Sequence, residues 1–394
     1  MPKYFFVFGN NPTLSVAELA AVMPAEVSDG TLIKKGSVLL IKTKQKINAE
    51  KLIKKLGGTI KIGGVQTELT AAAKEQILLA AQERLQPKQG KFKFGFSYYG
   101  PGKFDFSSLA MAIKKYLRNQ GINSRWITSR EPVLSSVVIE QNKLTSKGAE
   151  IVLIKNGGKF FLGQTLAVQP FKELSFRDYG RPARDDRSGM LPPKLAQIMI
   201  NLAQAQPQDI ILDPFCGSGT ILTEAILVGY KNLIGSDISQ KAIKDTEQNI
   251  KWIKSKFPVS NFKLQLNAKS AADLPGIIKN QTINAIITEP YLGPQRGRIE
   301  VKKIKRELEA LYTQSLRAFS QILKPNGRVV IVWPVFNRGR KQIFLSPQLG
   351  KFKIINPIPK SLRNHPAIAL TGRQTIIYGR PGQKVWREIV VLSF

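Results

Sequence analysis

The second half of the chain alternates short apolar runs with stretches of helical period. The apolar runs predict buried strands, at DIILD, NLIGSD, FKLQLNA, INAIIT and RVVIVWP. The helical stretches include TILTEAILVG, which ends at Gly229, and SQKAIKDTEQNIKWIKS, which follows Ser239 as its N-cap. Repeated strand–helix units predict an α/β fold with a parallel, doubly wound sheet over residues 191–394. The final QTIIYGRPGQKVWREIVVL predicts an antiparallel hairpin at the edge of that sheet.

The first half of the chain has an α+β pattern instead. Residues 1–60 predict one small subdomain of short strands and helices, with Ser15 as a helix N-cap followed by Glu18. Residues 61–165 predict a second module, which contains the alternating strand KFKFGFSYYG and a hairpin that turns at Asn156-Gly157-Gly158. Residues 166–190 are charged, contain glycine and proline and have no apolar period, so they are predicted to be a linker.

Charge is the strongest compositional signal. Sixty Lys and Arg residues against 27 Asp and Glu residues give a formal net charge of +33, and the excess runs through both halves of the chain. A surface this basic attracts polyanions, so a nucleic acid is the expected partner and simple solubility is the alternative. No apolar run is long enough to span a membrane, and the start lacks a cleavable signal pattern, so we expect no membrane association.

Cysteine and histidine are nearly absent from the chain. The single Cys216 excludes an intrachain disulfide framework and favours a cytoplasmic location, and the single His365 leaves no histidine-rich metal site. No metal is therefore expected. Cys216 has no histidine or other base near it in the sequence, so it is interpreted as a buried packing residue rather than a nucleophile.

A glycine loop, ILDPFCGSGTILTEA, follows the first predicted strand of the parallel sheet. Gly217 and Gly219 allow the backbone to approach a ligand closely, and Asp237 ends the next strand at a spacing suited to gripping ribose hydroxyls. The third glycine of a dinucleotide fingerprint is replaced by Leu222, and no Walker lysine is present. The loop also holds Asp213, which suits a cationic amino-acid group better than a pyrophosphate. The chemistry therefore favours S-adenosyl-L-methionine over NAD or ATP.

Several segments carry a resemblance to a known family. DPFCGSGTILTEA and GSDIS resemble the cofactor motifs of class I amino-methyltransferases, and SGMLPPKLAQIMINLA resembles the motif that precedes their cofactor strand. YFFVFGNNPTLSVAEL and KFFLGQTLAVQPFKELSFRDYGRP extend the resemblance to the THUMP-containing tRNA guanine-N2 methyltransferases that act on the guanosine at position ten. The resemblance implies a Rossmann-like class I methyltransferase domain preceded by ferredoxin-like and THUMP-type modules, S-adenosyl-L-methionine as cofactor and tRNA as partner.

The resemblance also implies a set of cofactor-binding residues. Asp213, Gly217 and Gly219 would line the methionine end, and Asp237 would hold the ribose. The residues expected elsewhere along the cofactor are Phe215, Ile238, Asn267 and Ala268, of which the last two would lie beside the adenine. Asn267 departs from the family, which often has an acid near this position; its side chain can both donate and accept.

Family members carry an Asp-Pro-Pro-Tyr type of loop after the fourth strand, where this chain has Thr288-Glu289-Pro290-Tyr291. Two alignments are possible. In the preferred one Glu289 takes the acid's place, because a carboxylate is preserved, and Pro290 and Tyr291 complete the catalytic set. In the other Tyr291 keeps the aromatic place and Thr288 stands where the acid was. The loop would accept the N–H groups of an exocyclic amine and pack on a flipped base.

Candidate RNA-binding cations lie in the second module. They are Lys91, Lys93, Lys114, Lys115, Arg118 and Arg125. The function that we favour is methylation of guanine N2 in tRNA by a monomer, and the sequence leaves open whether one or two methyl groups are added and whether a small activator subunit is needed. The alternatives are a DNA adenine or cytosine amino-methyltransferase and a tRNA-binding protein without catalysis.

Overall fold

A computed structural model describes residues 1–33, 37–70, 74–85, 91–184, 190–294, 300–338 and 341–394. These residues form two compact units. The N-terminal unit contains Met1–Ser15, Ala25–Phe171 and Lys360–Ile368. The C-terminal unit contains Val16–Pro24, Lys172–Pro359 and Ala369–Phe394.

The described residues of the N-terminal unit form eight strands. They are β1 (Lys3–Phe8), β2 (Thr31–Ile33), β3 (Val38–Lys42), β4 (Thr59–Leu69), β5 (Phe92–Tyr99), β6 (Ser124–Ile127), β7 (Ala149–Asn156) and β8 (Lys159–Val168). The helices in this part of the chain are α1 (Pro12–Val22), α2 (Pro24–Ser28), α3 (Ala49–Lys55), α4 (Lys74–Arg84), α5 (Ser107–Asn119) and α6 (Ser136–Gln141). The α+β prediction is confirmed, and the hairpin between β7 and β8 turns at the expected glycines, with Gly157 at φ +59°.

One sheet runs through both predicted N-terminal modules. Its strand order is β2-β3-β1-β4-β8-β7-β5-β6, and β4 pairs with β1 on one side and with β8 on the other. Because β4 begins at Thr59 and bonds to both neighbours, a boundary between 1–60 and 61–165 would cut a continuous sheet. The division into two modules stays a prediction, and its boundary falls inside one sheet because local patterns indicate strands but not which strands pair.

The helix that follows β1 begins earlier than predicted. Asn11, not Ser15, is its N-cap, since the Asn11 side chain accepts a hydrogen bond from the Leu14 amide at 3.0 Å. Pro12 then occupies the first helical position, where a missing N–H costs nothing. The Ser15 hydroxyl donates instead to the Gly58 carbonyl at 2.9 Å.

The two faces of the N-terminal sheet carry separate cores. Alternate residues of β5, such as Phe92 and Phe94, pack against Leu109, Ile113 and other apolar residues of α5. Tyr99, on the opposite face of β5, packs with apolar residues of β1, β3 and β7. Period-two alternation explains this division.

In the C-terminal unit, the residues that the structure describes form nine strands. They are β9 (Ile210–Asp213), β10 (Asn232–Asp237), β11 (Lys263–Ala268), β12 (Ile283–Thr288), β13 (Leu323–Arg338), β14 (Lys341–Phe344), β15 (Lys353–Ile354), β16 (Ile376–Tyr378) and β17 (Val385–Ser393). The helices are α7 (Phe171–Tyr179), α8 (Pro193–Leu202), α9 (Thr220–Val228), α10 (Gln240–Lys256) and α11 (Val301–Ile322). A short 3₁₀ turn lies at Ala271–Gly276, and another, at Lys360–Leu362, belongs to the N-terminal unit.

The parallel, doubly wound sheet is confirmed in this unit. The strand order is β11-β10-β9-β12-β13-β17-β15, and the strands from β11 to β13 are parallel. The antiparallel pairing of β16 with β17 confirms the final hairpin. Within this hairpin β16 lies at the edge of the sheet, as predicted, while β17 lies one strand further in, between β13 and the short strands β15 and β16.

The predicted linker contains regular structure. The strand β8 continues to Val168 and α7 occupies Phe171–Tyr179, so the described part of the predicted linker contains a strand end and a helix. Arg177 of α7 is buried and donates to both carboxylate oxygens of the buried Glu224, at 2.7 and 3.1 Å. This helix was missed because an ion pair, rather than a broad apolar stripe, anchors it. Among the described residues, no helix is both long enough and apolar enough to cross a membrane.

Candidate cofactor cleft and catalytic loop

A cleft of about 900 Å³ opens at the carboxyl ends of the central parallel strands. Within the sheet, β9 has β10 as its neighbour on one edge and β12 as its neighbour on the other, so the strand order reverses at β9. Ligands of open α/β sheets bind at such a reversal. Asp213 ends β9, Asp237 ends β10 and Thr288 ends β12, so the topology brings together side chains that are far apart in the sequence.

The two glycines of the loop have different roles. Gly217 lines the cleft at φ +52°, and a Cβ added there would meet nothing within 4 Å. That space is available to a ligand. Gly219 has φ +82°, and its Cβ would lie 2.9 Å from the Thr246 side chain of α10. At Gly219 the loop therefore packs closely on α10, and the predicted contact of Gly219 with a ligand stays a prediction.

Asp213 is a buried carboxyl group that borders the cleft. Its Oδ1 accepts hydrogen bonds from the Thr288 hydroxyl at 2.7 Å and from the Phe215 amide at 3.2 Å. Burial raises the pKa of Asp213 to about 7, although these two hydrogen bonds oppose the shift. Phe215 itself also lines the cleft. A cation bound here would favour the ionised carboxylate.

Asp237 fixes the opposite side of the glycine loop. One carboxylate oxygen accepts from the Gly217 amide at 3.0 Å and the other from the Ser239 amide at 2.9 Å. A carboxylate has about four acceptor positions, so both oxygens can still accept from ligand hydroxyls. The next residue, Ile238, lines the cleft with 81% of its surface exposed, which provides an apolar face beside that carboxylate.

Asn267 and Ala268 end β11, next to β10, but they do not line the cleft. Ser270 and Ala271, at the start of the following 3₁₀ turn, do line it. The Asn267 amide nitrogen is buried and lacks a hydrogen-bond partner among the described residues. The cleft-lining positions in this stretch thus lie three residues after the predicted pair, and the contact of Asn267 and Ala268 with an adenine stays a prediction.

Glu289 is held by an arginine that sequence reasoning missed. Arg387, on β17, donates from Nε to one oxygen of Glu289 at 2.5 Å and from Nη2 to the other at 2.9 Å. The two side chains are 14% and 11% exposed, so solvent screens this pair only in part. Burial alone would lower the pKa of Arg387, but the Glu289 carboxylate outweighs it and raises that pKa. The residues are 98 positions apart, and no local pattern links them.

The rest of the predicted catalytic loop borders the same cleft. Pro290 is buried and Tyr291 is 54% exposed, and both line the cleft. The Tyr291 carbonyl accepts from the buried Tyr312 hydroxyl of α11 at 2.7 Å, which fixes the backbone while the Tyr291 ring stays accessible. Thr288 faces inward to Asp213, so it supports the cleft rather than replacing the acid.

Cys216 is not placed to act as a nucleophile. It is 5% exposed, and burial raises the pKa of its thiol well above the ordinary value. The Thr246 hydroxyl contacts its sulfur at 3.8 Å. The thiolate form is disfavoured, which agrees with the interpretation of a packing residue.

The six predicted RNA-binding cations do not form one patch. Lys114, Lys115 and Arg118 lie on α5, which packs on one face of the N-terminal sheet. Lys93 and Arg125 are register partners on β5 and β6, and their neighbours in each strand pack towards α5, so these two point to the opposite face. Lys93 donates to Asn142 at 3.2 Å. Lys91 is exposed just before β5.

Two family models match parts of the chain. The RMKL-like methyltransferase domain matches residues 181–341, and a DNA methylase model matches residues 103–248. The tRNA (guanine(10)-N2)-dimethyltransferase of Methanocaldococcus jannaschii is 31% identical over 221 residues, which are 55% of this chain and 55% of that protein. The probable tRNA (guanine(10)-N2)-dimethyltransferase of Methanothermococcus thermolithotrophicus is 32% identical over 113 residues, which are 27% of this chain and 67% of that protein.

The chain belongs to the tRNA (guanine-N2)-methyltransferase family. It spans about half the length of the Methanocaldococcus jannaschii member that it matches. The crystal structure of TrmN from Thermus thermophilus has the same fold, with a TM-score of 0.52 at 18% identity over 99% of both chains.

The cofactor of this family is S-adenosyl-L-methionine, and the residues of the cleft fit it. The buried Asp213 suits an ammonium group, Asp237 suits ribose hydroxyls, and the open space at Gly217 lets a ligand approach the backbone. The acidic lining at Asp213 and Asp237 is unsuited to a pyrophosphate, which agrees with the choice made from the sequence.

Proposed function

We propose that the protein transfers methyl groups from S-adenosyl-L-methionine to the exocyclic N2 of a guanosine in tRNA, with position ten as the expected target. The observation on which this rests is the placement of Glu289, Pro290 and Tyr291 at the cleft that also holds Asp213 and Asp237. The proposed acceptor for the amine, Glu289, and the proposed cofactor-binding carboxylates, Asp213 and Asp237, line the same cleft. The names of the relatives support guanine N2 and position ten.

The cofactor, when bound, supplies an electrophilic methyl group. Asp213 would hold its ammonium end, Asp237 its ribose and Ile238 its adenine face. A guanine amine is a weak nucleophile because its lone pair is delocalised into the ring. The Glu289 carboxylate would accept a hydrogen bond from an amine N–H, and this bond would draw the nitrogen towards tetrahedral geometry. The same carboxylate would then receive the proton that the amine loses. Tyr291 offers an exposed ring on which a flipped base can pack.

Arg387 compensates for the unusual length of Glu289. The family's acid is an aspartate in the motif that this loop resembles, and Glu289 is one methylene longer. A flexible side chain would place its carboxylate over a range of positions, and a misplacement of about 1 Å costs about a hundredfold in rate. The two-point contact with Arg387 fixes the carboxylate and leaves further acceptor positions for an amine.

The N-terminal unit is proposed to bind the tRNA as a THUMP-type module, preceded by a ferredoxin-like subdomain that shares its sheet. The protein is proposed to act as a monomer in the cytoplasm. Its exposed cations and its net charge of +33 support a polyanionic partner. Binding of tRNA and cofactor by the isolated chain without turnover would indicate that a small activator subunit is needed.

The test is nucleoside mass spectrometry after incubation of the protein with unmodified tRNA and isotopically labelled cofactor. Labelled N2-methylguanosine or N2,N2-dimethylguanosine is expected, and Glu289→Ala should abolish it while cofactor binding persists. The same assay with duplex DNA tests the second candidate, an adenine or cytosine amino-methyltransferase, which the DNA methylase match to residues 103–248 favours. Methylation of DNA without methylation of tRNA would replace the proposal.

A further inference from the structure

Two aromatic rings of α7 face solvent, one turn apart. Phe176 is 44% exposed and Tyr179 is 67% exposed, although α7 buries Leu174 and Arg177 on its other side. Large apolar side chains left at a surface commonly mark an interaction site when they are grouped. These two lie in the segment that the sequence had presented as a linker, and neither belongs to the cofactor cleft.

The rings extend into an aromatic platform, which we define as Phe176, Tyr179, Trp252 and Phe257. The Phe176 ring centre lies 5.1 Å from that of Trp252 on α10 and 6.2 Å from that of Phe257, which follows the helix. Beneath them the buried Arg177 guanidinium lies 5.6 Å from the Phe257 ring. The buried ion pair between Arg177 and Glu224 holds α7 in this position, so the platform is preformed.

Two cations lie next to the aromatic platform. Lys256 is exposed one turn after Trp252 on α10, and Lys172 is exposed one turn before Phe176 on α7. Exposed aromatic rings with lysines on either side fit a partner with flat rings and a negative backbone. An apolar protein segment would bury these charges without compensation, whereas unpaired nucleotides supply both a stacking surface and phosphates.

The platform is continuous with the cleft. The Arg184 guanidinium lies 5.7 Å from the Tyr179 ring centre, donates to the Tyr179 carbonyl at 2.9 Å and also lines the cleft. The helix α10 connects the two places as well, because Ala242 lines the cleft and Trp252 lies ten residues further along, about 15 Å at the rise of an α-helix.

We propose that the aromatic platform binds unpaired RNA nucleotides next to the target base, by stacking on Phe176 and Tyr179 and by contact of their phosphates with Lys172 and Lys256. The inference rests on the proposed function, since a base must leave its helix to reach the cleft and its neighbours lose their stacking partners. Rings on the protein replace that stacking. Because every base has an aromatic face, the platform selects unpaired RNA rather than a sequence.

The test compares two labelled RNAs by fluorescence anisotropy at fixed salt: a single strand of about ten nucleotides that cannot pair with itself, and a duplex of equal length. The double variant Phe176→Ala/Tyr179→Ala should bind the single strand about tenfold or more weakly and the duplex as the parent does. The conservative pair Phe176→Tyr/Tyr179→Phe should retain binding. The matched control is Phe394→Ala, which removes a 38% exposed ring stacked 4.8 Å from Phe352, away from the platform lysines.

Unchanged single-strand affinity in the alanine variant, or an equal loss for both RNAs, would overturn the proposal. Cofactor binding by the same variant, measured by calorimetry, establishes that the C-terminal unit is folded. The binding assays need no methyl transfer. A chain that methylates no tRNA would contradict the proposed function, while loss of single-strand binding in the alanine variant would still establish the platform.

Discussion

At the scale of single residues, the contact between Glu289 and Arg387 has the clearest functional consequence. Arg387→Gln removes both donors and leaves the carboxylate free to move. We expect the turnover number to fall about a hundredfold, because a displacement on the order of 1 Å is enough for such a loss. Arg387→Lys keeps the charge but not the two-point contact, so an intermediate loss is expected. Single-turnover methylation of tRNA measures both.

The control for Arg387 is Arg380→Gln, an exposed arginine on the same hairpin, which should leave turnover unchanged. Cofactor affinity should be the same in all three variants. Glu289→Asp restores the residue of the family motif, yet it should lower turnover, because the shorter side chain no longer reaches Arg387. Normal turnover of Arg387→Gln would show that the arginine does not position the carboxylate.

The raised pKa of Asp213 predicts how cofactor affinity depends on pH. Because its pKa is raised to about 7 by burial, the cofactor-free protein holds a proton there below that pH. A cationic ammonium group needs the ionised form, so its binding must release that proton. Affinity for S-adenosylhomocysteine should therefore fall about tenfold per pH unit below 7 and level off above it. Calorimetry at pH 6 and pH 8 measures the change.

The same raised pKa has an opposite effect on stability. The folded protein binds a proton at Asp213 between about pH 4 and pH 7 that the unfolded chain has lost, so this residue lowers the free energy of unfolding as the pH rises through that window. Asp213→Asn keeps an oxygen for Thr288 and Phe215 and removes the buried charge. It should melt at a higher temperature at pH 8 and bind cofactor poorly. A lower melting temperature at pH 8 would contradict this account.

At the scale of elements, the loop between β9 and α9 separates binding from packing. Gly217→Ala should lower stability by about 1 kcal/mol, because its φ of +52° disfavours a side chain, and should lower cofactor affinity through the new methyl group. Gly219→Ala adds a clash at 2.9 Å with Thr246 and should destabilise the unit more. Urea unfolding and cofactor titration measure the two effects. Equal losses of stability would contradict this division.

The strands β4 and β7 are joined by a buried ion pair. Lys61 donates to Glu150 at 2.7 Å and to the Leu134 carbonyl at 2.6 Å, and hydroxyl groups of Ser97 and Thr165 also donate to Glu150. Lys61→Met leaves a buried charge without its cation and should cost about 3–5 kcal/mol in urea unfolding. Adding Glu150→Gln removes that charge, so the double variant should be more stable than the single one. A double variant less stable than Lys61→Met alone would contradict the ion pair's role.

Elements were predictable from the sequence where their signals are local. Strand and helix periods, the Ser239 cap and the glycines of the hairpin at Gly157 all act within a few residues. Pairings across the chain were not predictable. The continuous sheet through β4 and the contact of Arg387 with Glu289 depend on which strands become neighbours, and that is decided by packing of the whole unit. The sequence does not distinguish Gly217 from Gly219, because the close contact of Gly219 with α10 arises only in the folded unit.

At the scale of the whole molecule, the positive charge predicts how RNA binding responds to salt. A chain of net charge +33 binds nucleic acid in part by releasing counterions, so the logarithm of its affinity should fall linearly with the logarithm of salt concentration. The cations of α5 are expected to contribute to that slope, because Lys115 and Arg118 are exposed and Lys114 lies beside them on one helix. Replacing all three by glutamine should reduce the slope by about two to three units.

The opposite face of the same sheet provides the comparison for α5. Lys93→Gln/Arg125→Gln removes two cations that face away from α5, one of which already donates to Asn142. If tRNA lies along α5, this variant keeps nearly the full salt slope while the α5 variant loses much of it. A larger loss of salt slope in the Lys93 and Arg125 variant would indicate that tRNA lies along the other face of the sheet. Because strand alternation separates the two sets of cations, tRNA affinities at several salt concentrations can tell the faces apart without a structure of the complex.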